Sequence, residues 1–247
     1  MKRLFVQTQK IFILLGVFSI AMGVLEAIVV VYLRQLYYPQ GFCFPLKFLS
    51  PEMLLTEWVR EIATLIMLVV IAFIAGKDYL HRFSYFLFCF AIWDITYYAG
   101  LKLFLDWPSS FLSWDILFLI PVPWISPVLA PLICSLTMIF FALSIIYLKE
   151  TVSTFKIKLY EWGLILLGAT LIFCSFIMDY FMLIMQNGFY SIFWTLSKNK
   201  YFWQIISAYN PAYYNWYLFA LGEIIILFMI TGLILRTKST KQFTINS

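Results

Sequence analysis

Carboxylates in apolar surroundings are the residues of this chain most able to do chemistry. Glu26, Glu57, Glu61, Asp94, Asp179 and Glu223 all lie in or beside long hydrophobic runs. Glu57, Arg60 and Glu61 form an E-x-x-R-E pattern. The two glutamates are four residues apart and share one face of a helix. Asp94, Tyr98 and Lys102 stand at i, i+4 and i+8, a single polar stripe that Tyr97 widens. A charge at the centre of a bilayer costs at least about 2.5 kcal/mol, so such groups face protein or water and are candidates for function. A carboxylate there can hold a proton, a metal ion or a cationic ligand.

Other chemistries are poorly provided for. His81 is the only histidine, which removes bis-His haem ligation, HExxH zinc sites and Ser-His-Asp triads. The four cysteines, Cys43, Cys89, Cys134 and Cys174, include no CxxC, so neither a disulfide framework nor a zinc or iron–sulfur site is expected. No DDxxD and no GxSxG occurs. No metal ligand set is assigned and the cofactor stays unknown.

The elements that must position the acids are membrane helices. Of 247 residues, 64% are hydrophobic and only 12% charged, against about a quarter charged in soluble domains. The mean hydropathy is +0.92. About 20 apolar residues cross the hydrocarbon. Runs of that length predict six transmembrane helices, at 11–33, 53–75, 83–105, 125–148, 161–183 and 213–235. The fold class is therefore all-α, a polytopic helical bundle in one integral membrane domain over 1–247. Between the third and fourth spans, Trp114–Ile120 (WDILFLI) is too short to cross and predicts a short interfacial or re-entrant helix, capped by Ser113 with Asp115 in its first turn. Pro127 and Pro131 are expected to bend the start of the fourth span.

Lysine and arginine set the expected orientation. Lys2, Arg3, Lys10, Lys77, Arg82, Lys149, Lys156, Lys158, Arg236, Lys238 and Lys241 fall on the side of the termini, against Arg34, Lys47, Arg60, Lys102, Lys198 and Lys200 on the other. The positive-inside rule then makes both termini cytoplasmic, in a bacterial inner membrane. The net charge of +5 follows from this placement and implies no nucleic-acid partner. Laid on that topology, Glu26 is about 10 Å, Glu223 about 15 Å and Asp94 about 16 Å below the outer surface, at 1.5 Å per residue. Glu57, Arg60 and Glu61 fall in the same outer half.

These placements predict an outward-facing acidic and aromatic pocket. Its ligand-binding candidates are Asp94, Glu61, Arg60, Glu26, Glu223, Tyr98, Lys102 and Glu57. Its lid is the loop with Trp107, Trp114, Asp115 and Trp124. Asp115 is equally a simple cap, Asp179 a solvated interfacial acid, and the tryptophans, with Trp194, Trp203 and Trp216, a membrane belt. The bilayer is the one certain partner. The leading function is binding of a small molecule or ion linked to transport. A metal-assisted enzyme acting on a lipid and a structural subunit with protein partners in the membrane are the alternatives.

Overall fold

A computed structural model describes residues 2–246 apart from 48, 121, 153 and 190–199, without side chains at 2–6, 200, 203 and 238–246. The positions of Trp194 and Lys198 lie outside the described residues, as do the side chains of Lys200 and Trp203. Six helices are long and apolar enough to cross a membrane. They are α1 (Lys2–Tyr37), α2 (Pro51–Ala75), α3 (Tyr79–Leu105), α4 (Leu129–Thr151), α5 (Leu159–Gln186) and α7 (Trp216–Asn246), with a short α6 (Lys200–Ile206) before the last. The chain is thus a predominantly helical, all-α-class multi-pass membrane protein in contact with the bilayer. α6 forms within the stretch between the fifth and sixth spans, where the sequence predicts only a loop.

Helix ends follow local chemistry. Ser50 Oγ accepts the Met53 N–H at 3.2 Å and Pro51 opens α2, where no amide donor is needed. Asp78 caps α3 by accepting the Leu80 and His81 amides at 3.0 and 3.2 Å. Burial pushes the Asp78 carboxyl up, but Lys149 Nζ at 2.5 Å and the His81 contacts outweigh it and hold it down to about 2. Asp106 ends α3 in the left-handed region, φ 51°, which an aspartate tolerates better than a branched residue.

Lipid-facing helices gain little from hydrophobic burial against one another, so close packing of small residues joins them. On α1, Gly23 and Ala27 sit against α3: a Cβ on Gly23 would meet Thr96 and the Trp93 carbonyl, and one on Gly100 would meet Ala27. On α5 and α7, Gly168 and Gly222 face each other's carbonyls, at 2.8 and 2.7 Å from where a Cβ would stand. α3 packs on α1, α2 and α4, α5 pairs with α7, and α7 reaches α4. Large apolar side chains such as Ile74 and Phe228 stay exposed, as a bilayer-facing surface requires.

The connection between α3 and α4 departs from expectation. It is no helix but an antiparallel pair, β1 (Trp114–Ile116) with β2 (Ile125–Pro127), in the register Trp114↔Pro127, Asp115↔Ser126 and Ile116↔Ile125. Leu117 N–H to the Trp124 carbonyl and Trp124 N–H to the Phe118 carbonyl extend the ladder at 2.9 and 2.8 Å. A run of seven residues, six of them apolar, is too short to bury a helical face, and β-pairing satisfies its amides. Pro127 therefore lies in β2 and Pro131 in the first turn of α4, where neither removes a helical bond. The expected bend at that end has no proline within the helix body to produce it.

Candidate functional site

At the end of the bundle opposite the chain termini, a cavity of about 340 Å³ opens between α1, α2, α3 and the hairpin, with α5 and α6 closing one side. Helical periodicity brings the walls together. From α1 come Glu26, Val30, Arg34 and Tyr37, each a turn apart. From α2 come Glu57, Arg60, Glu61 and Thr64, and from α3 Trp93, Asp94, Tyr97 and Tyr98. The hairpin adds Asp115 and Leu119.

Arg60 is the hub of one wall. Its Nε donates to Glu57 Oε2 at 2.8 Å, its Nη1 donates to Glu26 Oε1, and its Nη2 lies 4.0 Å from Glu61 Oε1. Three carboxylates from two helices thus converge on one guanidinium, whose fork of five donors suits several acceptors at once. Glu61 also accepts the backbone N–H of Leu119 at 2.9 and 3.1 Å, which ties α2 to the hairpin. Glu57 and Glu61 are buried, while Arg60 and Glu26 keep some exposure toward the cavity.

The cavity holds a second ion pair. Arg34 Nη2 donates to Asp115 Oδ1 at 3.0 Å. The Arg34 guanidinium stands 3.8 Å from the ring centre of Trp107 and 4.4 Å from that of Phe42. Asp115 is therefore no helix cap. It alternates inward along β1, and burial pushes its carboxyl up to about 6 against the opposing pull of Arg34. Ser113 Oγ instead accepts the Ser110 N–H at 3.2 Å and closes a turn before the strand.

The other expected site residues divide. Asp94 lines the cavity and accepts from Ser135 Oγ of α4 at 2.8 Å. Lys102 leaves the stripe: its Nζ reaches Asp106 at 2.7 Å and the Asp106 and Pro108 carbonyls, all on the exposed end of α3. Glu223 lies outside the cavity, buried between α7 and α4, where Thr137 Oγ1 donates to it at 2.8 Å. Asp179 is not simply solvated, since Tyr209 Oη donates to it at 2.6 Å. Of the lid tryptophans, Trp107 covers Arg34. Trp124 turns away to Phe173 and Phe176, with its Nε1 donating to the Ile120 carbonyl at 2.9 Å, and Trp114 packs on Tyr214. Those two fasten the hairpin to α5 and to the segment before α7.

Arg34 is the site residue that sequence reasoning missed. Its sequence context marks it only as an outer-side base, yet Glu26, Val30 and Arg34 stand at i, i+4 and i+8, the same spacing that makes the Asp94 stripe. Ser135 carried no comparable signal. Among the described residues, no three His, Cys, Asp or Glu side chains stand together as metal ligands.

No family model matches the chain, and no curated protein and no solved structure matches it.

Proposed function

We propose that the protein captures a small organic cation in this cavity, on the extracytoplasmic side of a membrane, as a step in its transport. The observation that carries the reading is the charge balance of the wall. Glu26, Glu57, Glu61, Asp94 and Asp115 face Arg34, Lys47 and Arg60, five carboxylates against three bases. In a low-dielectric setting an excess of two carboxylates favours protonation or a bound cation. Aromatic side chains, among them Tyr37, Trp58, Trp93 and Phe118, surround the acids and supply faces that attract cations. A volume of about 340 Å³ is at the small end of ligand pockets, which run from about 300 to 1,000 Å³. The basic bias of the terminal side supports the outward orientation.

The metal-assisted reading finds less support, because the glutamates converge on Arg60 rather than on a position open to an ion. Benzamidine, a planar aromatic cation, is a direct probe. With the full chain in nanodiscs, Glu61→Gln and Asp94→Asn are each expected to weaken benzamidine binding about tenfold or more, equal to about 1.4 kcal/mol. Unchanged affinity in both variants, with membrane insertion intact, overturns the reading.

A further inference from the structure

We propose that Arg34, Asp115 and Tyr98 form a recognition subsite for a neutral donor–acceptor edge on the captured molecule, of the kind a carboxamide or lactam presents. The inference rests on reading the cavity as a capture site. All three residues line that cavity and are more than nine-tenths buried, at 7%, 1% and 4% exposed. Each carries a buried polar atom with no hydrogen bond: Arg34 Nη1, Asp115 Oδ2 and Tyr98 Oη. Tyr98 Oη stands beside the Asp115 carboxylate, close enough to pair with it. Buried polar atoms left unpaired are costly, so the spare Arg34 Nη1 and the adjoining Tyr98–Asp115 edge, gathered in one wall, call for a shared partner.

The chemistry of that partner follows from what is left over. Arg34 Nη2 is committed to Asp115 Oδ1, so the pair offers the spare donors of Nη1 and the spare acceptor Oδ2. Trp107 and Phe42 hold the guanidinium between them, which limits its freedom to turn and satisfy itself elsewhere. A carboxylate ligand would meet repulsion from Asp115. An ammonium would meet it from Arg34. An ester accepts from Arg34 and leaves Asp115 unsatisfied. A carboxamide does both, its oxygen accepting from Arg34 and its N–H donating to Asp115, with Tyr98 able to join either side. Trp93, Tyr97 and Phe118 nearby give a planar body faces to lie against.

The test compares three probes of similar size on the full chain in nanodiscs, by ligand-observed saturation transfer and calorimetry. Benzamide carries donor and acceptor, methyl benzoate the acceptor alone, and benzamidine the cation. Benzamide is expected to bind about tenfold tighter than methyl benzoate, the usual scale for leaving a buried polar group unpaired. That ratio is expected to collapse in Asp115→Asn. Tyr98→Phe, which keeps the Arg34 pair, is expected to lower it as well and serves if the first variant does not fold. Equal binding of benzamide and methyl benzoate overturns the subsite. Benzamidine binding without an amide preference overturns the subsite and leaves the capture reading standing. Failure of all three probes to bind overturns both.

Discussion

Arg60 sits where Glu26, Glu57 and Glu61 converge, and its removal would leave three carboxylates facing one another in a mostly buried wall. Breaking a buried ion pair from one side costs on the order of 3–5 kcal/mol, because the remaining charge is left uncompensated. Arg60→Ala is therefore expected to lower stability by roughly that amount in a mixed-micelle unfolding titration. Adding Glu26→Gln to it should recover part of the loss, since one of the stranded charges is then gone. Independent, additive losses from the two substitutions would show that the cluster does not act as a unit. The same logic separates Arg34 from Arg60. Arg34 has one carboxylate and two aromatic faces, so its environment is neutral overall and still has hydrogen-bonding capacity to offer a ligand.

At the scale of elements, two devices fix how the bundle and its hairpin pack. One is the close approach of glycine-bearing helices. A Cβ on Gly222 would stand 2.7 Å from the Gly168 carbonyl and 3.1 Å from the Ile172 amide, both backbone atoms that cannot turn aside. Gly222→Ala is expected to push α5 from α7 and cost about 1–3 kcal/mol. Gly163→Ala on the same α5 meets nothing within 4 Å and should change stability by less than about 0.5 kcal/mol. Equal effects of the two in the same unfolding assay would argue against the interlocked packing. The second device is the hairpin. It is pinned to α2 through Glu61 and Leu119, to α1 through Arg34 and Asp115, and to α5 through Trp124. Two of its three anchors are cavity side chains, so whatever binds there also acts on the hairpin.

For the molecule as a whole, six spans place both termini at one end and the cavity at the other. The α1–α2 loop at the cavity end carries Cys43, which is exposed, whereas Cys89 is buried and Cys134 and Cys174 are half-buried. If the cavity faces outward, a membrane-impermeant maleimide added to intact cells should label wild-type protein at Cys43 and fail to label Cys43→Ser. Labelling that appears only after the membrane is permeabilised would reverse the orientation and, with it, the side from which a ligand enters.

The six spans were legible in the sequence, because a bilayer demands about 20 consecutive apolar residues and little else has that length. The grouping of Glu57 with Arg60 and Glu61 was also legible, since one helix turn sets that neighbourhood by itself. What lay beyond reach was the rotation of each helix about its own axis. Small residues at the α1–α3 and α5–α7 contacts set that rotation, and it turned Glu26 and Arg34 into the cavity while Glu223 went to Thr137. The stretch around Trp114 is ambiguous in sequence because a seven-residue, mostly apolar run suits either a short helix or a strand, and only a partner strand thirteen residues from Trp114 decides between them. Sequence alone determined that this protein lives in the membrane with a set of acids that lipid cannot solvate. Tertiary packing decided which of those acids meet, since helix–helix contact depends on side-chain shape across helices and not on periodicity within one.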